Sequence, residues 1–333
     1  MRIRGGKTMA AAVAAFVAAT TVVGPVLAAD DFVPAIVYDM GGKYDKSFNE
    51  AAYNGVERFK RETGIAYREF EVTNETQREQ ALRNLARRGA KVIAGIGFAQ
   101  ADPIAKVSQE FPQVKFCLID EALNLPNVRS YTFKEHEGSF LVGMLAALAS
   151  KTGKVGFVGG MDIPLIRNFL TGYEQGAKHA RADVEVLANM TGSTPAAWND
   201  PTRGAELARS QFDRGADVVY AAAGTTGLGV LQAAADAGKL GIGVDSNQNW
   251  LHPGRMLTSM LKRVDEAVFQ CMATAKAGTF VAGHSLLGLA DGGVDWALDE
   301  HNRALVTADM EKAVNHAKAD IIAGRLAVRP YQP

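Results

Sequence analysis

Val33-Pro34-Ala35-Ile36-Val37-Tyr38-Asp39-Met40-Gly41-Gly42 passes from an unbroken apolar run to an acid and a glycine turn, and residues 47–63 then follow with a helical pattern. The apolar run reads as a strand. In the next segment Phe48, Ala51, Ala52, Val56 and Phe59 fall on one helical face, with Ser47 or Asp45 available as a cap and Gly64 as a stop. A strand followed at once by an amphipathic helix is one βα unit, the building block of a parallel sheet.

Outward from that unit the pattern repeats. Strands are expected at 65–72, 91–96 and 114–119 with helices at 75–88 and 101–111 between them. A second series starts at Lys154, with strands at 155–158, 184–188, 218–222 and 241–244 and helices near 163–181, 201–214 and 227–237. Between the series lies an apolar helix, Glu137 to Ser150, too short and too flanked by charge to span a bilayer. No Pro-, Ser- or Gln-rich tether occurs, so two open α/β lobes joined by bending crossings near 130–134 and 258–262 are expected. The first lobe takes 29–132, with 262–280 returning to it, and the second takes 133–261. Residues 281–333 stay unassigned to either.

The 333 residues are 47% hydrophobic and 22% charged, a globular composition, and 36 Lys+Arg balance 36 Asp+Glu. No basic excess is left to neutralise a phosphate backbone, which argues against a nucleic-acid partner. Arg2, Arg4 and Lys7 precede an uncharged run, Met9 to Val23, closed by Gly24-Pro25 and small residues at Val26 and Ala28. This is the form of a cleaved secretory signal peptide, residues 1–28, with cleavage after Ala28 or Ala29. Removing three of the 36 cations and none of the 36 acids leaves a mature charge of −3. No cysteine stands at the cleavage site to carry a lipid, so a soluble exported protein is expected. Cys117 and Cys271 each sit in an apolar stretch and read as buried free thiols. A single bridge between them is the alternative, which spacing cannot test.

Catalytic and metal motifs are missing. The six histidines form no H-x-x-x-H or H-E-x-x-H pair, and neither G-x-S-x-G nor G-x-x-x-x-G-K-[ST] occurs. Strand ends are where open α/β sheets gather ligands, and there the chain repeatedly places an acid: Asp39, Asp120 and Asp245. Such carboxylates suit hydroxyl or N–H donors of an uncharged polar ligand, or else cap the next helix. Phe48, just past the first turn, and Trp198, in a loop of turn-forming residues, could stack on a flat ring. Gly224-Thr225-Thr226-Gly227-Leu228-Gly229 follows a strand and opens a helix, a turn that exposes backbone N–H groups. No cofactor or metal is implied.

Four segments carry a resemblance to a known family: 39–49 (Asp39-Met40-Gly41-Gly42-Lys43-Tyr44-Asp45-Lys46-Ser47-Phe48-Asn49), 156–160 with Phe169 and Gly172 behind it, 243–248, and 257–265. The chain resembles the basic membrane protein family of ABC-transporter substrate-binding proteins, whose best-understood members are purine nucleoside receptors. The resemblance implies a type I periplasmic binding protein fold, with a monomer closing its two lobes on a nucleoside and delivering it to a membrane permease. Phe48 and Trp198 would sandwich the base, Asp39, Asn49 and Asp120 would hydrogen-bond its edge, and Gly224, Asp245 and Lys262 would hold the ribose. Many family members are lipoproteins, whereas this chain would be free in a periplasm. Trp198 is wider than the family's phenylalanine, which leaves the base open. The rivals are a sugar or autoinducer receptor of the same fold and a nucleoside hydrolase; the hydrolase would want close-set aspartates around calcium, such as D-x-D, where Asp39 and Asp45 stand six apart.

Overall fold

Pro34–Tyr38 (β1) is buried at every position, as a strand covered on both faces must be. The turn after it leads into Phe48–Thr63 (α1), whose first backbone N–H groups are received by the buried Asp45 carboxylate: Ser47 at 2.8 Å, Asn49 at 2.9 Å and Glu50 at 3.0 Å. Asp45, not Ser47, therefore serves as the cap. Gly64 ends the helix in the left-handed region at φ 73°, its N–H bonded to the Lys60 carbonyl.

The computed structural model describes residues 1–2, 5 and 32–333, so all of the expected export segment at 1–28 but residues 1, 2 and 5 lies outside the described residues. The first βα series continues as β2 (Arg68–Glu71), α2 (Gln77–Arg87), β3 (Val92–Gly95), α3 (Ala101–Glu110), β4 (Lys115–Ile119) and β5 (Val128–Phe133). The second comprises α4 (Glu135–Ala149), β6 (Lys154–Met161), α5 (Pro164–Ala180), β7 (Glu185–Gly192), α6 (Pro201–Asp213), β8 (Val218–Ala222), α7 (Thr225–Asp236), β9 (Leu240–Asp245) and β10 (Met256–Lys262). Then come α8 (Val264–Lys276), β11 (Gly283–Leu287), β12 (Val294–Trp296) and α9 (Ala308–Ile322).

These strands make two six-stranded sheets, ordered β11-β5-β4-β3-β1-β2 and β12-β10-β9-β8-β6-β7. Every pairing is parallel except β10 with β12. Each sheet with its helices is one lobe. The chain passes between the sheets at 133–135, at 262–264 and at 287–294. The third passage falls in the stretch left unassigned by sequence, which gives β11 to the first sheet and β12 to the second.

The apolar helix α4, expected between the two series and within the second lobe's residues, packs against α5, β10, β12 and α9. Neighbours on several sides explain why it lacks a polar face. Its approach to α5 depends on glycine: a side chain at Gly143 would strike the Tyr173 carbonyl, and one at Gly176 the Phe140 carbonyl.

The expectation of free thiols is overturned. Cys117 on β4 and Cys271 on α8 form a disulfide, with Cα atoms 6.2 Å apart across 154 residues of sequence. The reason is topological: after 262–264 the chain returns to the first sheet, and α8 packs behind β3 and β4. Among the described residues no helix is long and apolar enough to cross a membrane.

Candidate functional site

The carboxyl ends of β1, β4, β8, β9 and β10 face one another across a cavity of about 610 Å³, counting its open mouth. All eight residues singled out by sequence line it: Asp39, Phe48, Asn49, Asp120, Trp198, Gly224, Asp245 and Lys262. The apolar remainder comes mainly from Met40, Phe98, Leu165, Ile166 and Phe169. The walls are thus largely hydrophobic, with a few convergent polar groups.

The acids are held in defined ways. Asp39 follows β1, and its Oδ1 receives a hydrogen bond from Arg78 Nη2 on α2 at 2.9 Å, both groups buried. Asn49 Oδ1 accepts from the Asp39 N–H at 3.0 Å and its Nδ2 donates to the Asp39 carbonyl at 3.3 Å. Much of that amide is therefore spent on fixing the Asp39 backbone. Asp120 and Asp245 end β4 and β9 in matching left-handed conformations, at φ 73° and 64°. Such angles are uncommon without glycine and tolerated best by Asp and Asn; here they turn both carboxyls inward from the two lobes.

Lys262, the last residue of β10, is the centre of the polar cluster. Its Nζ lies 2.6 Å from Asp120 Oδ1 and 3.2 Å from Glu135 Oε1, and it is only 2% exposed. It also stands over the rings of Phe48, Phe133 and Phe169 at 5.1 to 5.5 Å. Burial alone would push the ammonium down, but Asp120, Glu135 and Asp245 outweigh burial and raise it above its ordinary range. Burial pushes Asp245 up to about 7 and Glu135 up to about 7, with Lys262 opposing in part. Asp120 moves up for the same reason. Three buried carboxyls around one ammonium leave an excess of negative charge, which protonation relieves.

Trp198 sits in a single 3-10 turn, Pro195–Trp198, where a loop was expected. Thr226 at the start of α7 holds that turn: its Oγ1 donates to the Ala197 carbonyl at 2.8 Å and accepts from the Asp200 N–H at 2.7 Å. The six-membered ring of the indole lies against Gly160, where any Cβ would collide with it. Gly224, at φ 56°, precedes α7 and brings backbone to the cavity wall.

Sequence reasoning missed three contributors. Arg78, Glu135 and Ser47 carried no ligand-like motif. Nothing local announces that an arginine or glutamate is buried, because burial is decided by elements distant in sequence. Lys262, which the resemblance places at the ribose, is almost wholly enclosed, at 2% exposed. Among the described residues the one grouping of carboxyl and imidazole atoms close enough for a metal is Asp299, Glu300 and His301, and it does not line the cavity.

Bonds also run directly between the lobes. Ser47 Oγ lies 2.8 Å from Asp245 Oδ2, Ser246 Oγ donates to the Ser47 carbonyl at 2.7 Å, and Thr225 Oγ1 donates to the Gly41 carbonyl at 2.9 Å. The two halves are therefore drawn together around the cavity.

The chain matches the family of PnrA-like ABC transporter substrate-binding proteins over residues 32–328. It is 32% identical over 321 residues to the ABC transporter nucleoside-binding protein BmpA of Lactococcus lactis subsp. cremoris, spanning 90% of this chain and 89% of that one. Basic membrane protein A2 of Borrelia garinii subsp. bavariensis is 32% identical over 308 residues, again spanning 90% and 89%. A solved ABC transporter solute-binding protein from Aeropyrum pernix K1 superposes with a TM-score of 0.82 at 29% identity, over 91% of this chain and 94% of that one. Matched along nearly its whole described length to proteins named for substrate binding and not for catalysis, the chain belongs to the PnrA-like family of ABC-transporter substrate-binding proteins, which work outside the cytoplasmic membrane with a small-molecule ligand and a permease.

Proposed function

We propose that the protein captures a nucleoside, with purine nucleosides as the favoured class, for uptake by an ABC transporter. The observation that carries the reading is that Phe48 and Trp198 line the same cavity as Asp39, Asp120, Asp245 and Lys262. Two aromatic faces suit a flat base, with about 1 kcal/mol from each stacking contact beyond burial. Carboxyls and an ammonium beside them suit N–H groups and the hydroxyls of a ribose. The relative named a nucleoside-binding protein adds weight to this reading.

In this reading the eight residues act as the family resemblance implies, Asn49 chiefly by holding Asp39 in place. The protein is exported through residues 1–28 and is free of lipid, in a periplasm. Lobe one comprises 29–132 and 262–280, with 133–261 as lobe two. Ligand binds mainly to the closed arrangement and shifts the open-to-closed population, and the closed form is what the permease recognises.

The test is a thermal-shift screen of residues 29–333, freed of bound ligand by refolding, against nucleosides, free bases, sugars and amino acids. A ligand that binds only the folded state raises the midpoint. A rise of several degrees with purine nucleosides is the expected result. A rise with sugars alone would keep the transport role and overturn the stacking role of Phe48 and Trp198.

A further inference from the structure

Of the arginines on α2, only Arg78 is buried. It does not line the cavity, and its Nε finds no hydrogen-bond partner. Taking a guanidinium out of water costs several kcal/mol, and an apolar residue of similar volume commonly serves stability as well or better. Arg78 is therefore better explained by what it does to Asp39 than by what it adds to the fold. The Asp39 carboxyl is fixed from two sides. Arg78 Nη2 holds Oδ1 at 2.9 Å, while Gly97, at φ 97°, approaches so closely that a Cβ there would lie 2.5 Å from Oδ2. The main chain of Asp39 is locked in turn by both ends of the Asn49 amide.

A carboxylate paired with a guanidinium has only acceptor capacity to offer a ligand. A ring edge that sets an N–H against it is bound, and one that sets a lone pair against it is repelled. Guanosine and inosine carry a hydrogen at N1, and guanosine adds the amino group at C2; adenosine carries a lone pair at N1, and its edge donor, the amino group at C6, lies to the side of it, so a carboxylate set opposite N1 meets an acceptor. We infer that Arg78 is a positioning residue that fixes Asp39 as a charged acceptor, and that the cavity thereby selects 6-oxopurine nucleosides over adenosine. This rests on the nucleoside reading above and goes beyond it by naming the base class and the residue that sets it.

The test is calorimetric titration of guanosine, inosine and adenosine into the ligand-free protein and three variants. In the native chain guanosine and inosine should bind at least about tenfold more tightly than adenosine, the scale of discrimination that one good polar pair gives. Arg78→Lys keeps the positive charge and should keep the preference. Arg78→Met leaves a buried carboxylate without its counter-ion and should bring the ratio to within about threefold. Should that variant fold poorly, Arg78→Met/Asp39→Asn removes both charges together, and its amide can face either edge, so the preference should again collapse. Adenosine binding the native chain as tightly as guanosine would overturn the inference while leaving a nucleoside receptor. So would an unchanged ratio in Arg78→Met or the double variant, which would make Arg78 merely structural. Silence with all three nucleosides would overturn the nucleoside reading itself, and this inference with it.

Discussion

Ser47 Oγ and Asp245 Oδ2, 198 residues apart in sequence, meet at 2.8 Å across the cleft. Ser47 introduces the first helix of one lobe and Asp245 ends a strand of the other, so this bond exists only while the lobes are together. A second such bond joins Thr225 to the Gly41 carbonyl.

Removing such a bond should weaken ligand binding without harming the empty protein. Ser47→Ala and Thr225→Ala should each loosen binding about three- to tenfold, since one neutral hydrogen bond is worth about 0.5 to 1.5 kcal/mol, by making the closed state rarer. Titration calorimetry and the unliganded melting midpoint read the two effects separately. A fall in that midpoint with unchanged affinity would show that these bonds persist in the open form.

Asp245 should trade stability against function. Burial raises its carboxyl from the usual 3.8 to about 7, so between those values the folded state holds a proton that the unfolded chain has lost. The stability this group contributes is therefore greatest below about pH 4 and declines as the pH climbs to about 7. Asp245→Asn should flatten that decline. Urea melts would find it level with the native protein near pH 4 and more stable, by up to a few kcal/mol, at pH 8, while nucleoside affinity falls more than about tenfold for loss of a charge-assisted bond. Native and variant curves running parallel from pH 4 to 8 would show that the carboxyl is not so raised.

Lys262→Met should be severely destabilising, by about 3 to 5 kcal/mol, because Asp120 and Glu135 would be left buried without a counter-charge. Adding Asp120→Asn and Glu135→Gln in the same chain should recover most of the loss, though not the binding. Denaturant midpoints for the single and triple variants decide this. A single variant as stable as the native protein would mean that the two acids are already neutral when Lys262 is present.

Reduction of the disulfide, or Cys117→Ala/Cys271→Ala, should lower stability by about 4 to 5 kcal/mol on the chain-entropy account of so long a closed loop. Ligand affinity should change little, since neither cysteine lines the cavity. Paired melts with and without reductant, next to titrations, would separate these outcomes; an equal melting point would show that the constraint acts on neither state.

The alternation of apolar run and amphipathic helix made the two-layered parallel fold legible, because period and length are local properties. The strand-end acids Asp39, Asp120 and Asp245 were legible for the same reason: a strand's carboxyl end can be located from its apolar run. Lys262 was reached only through family resemblance, as nothing in the pattern marks its position, whereas Trp198 stood out as an aromatic in a loop of turn-forming residues. Arg78 and Glu135 were invisible, for a charged residue on a helix looks the same whether it faces solvent or a buried partner. The cysteine pair failed similarly. Each sulfur sits in an apolar stretch that says buried, and only the return of α8 beneath β4 shows that the two burials are one place.

That return also orders the molecule as host and guest. Cys117 and Cys271 hold their backbones 6.2 Å apart, and everything from α4 to β10 hangs between them as an insertion whose entry and exit are fastened together. The host therefore keeps its ends in register whatever the guest does. The guest is not a single piece, because β12 and α9 join the second lobe after the second cysteine, so exchanging that half of the cleft with a relative's would mean moving two segments, α4 to β10 and β12 to α9.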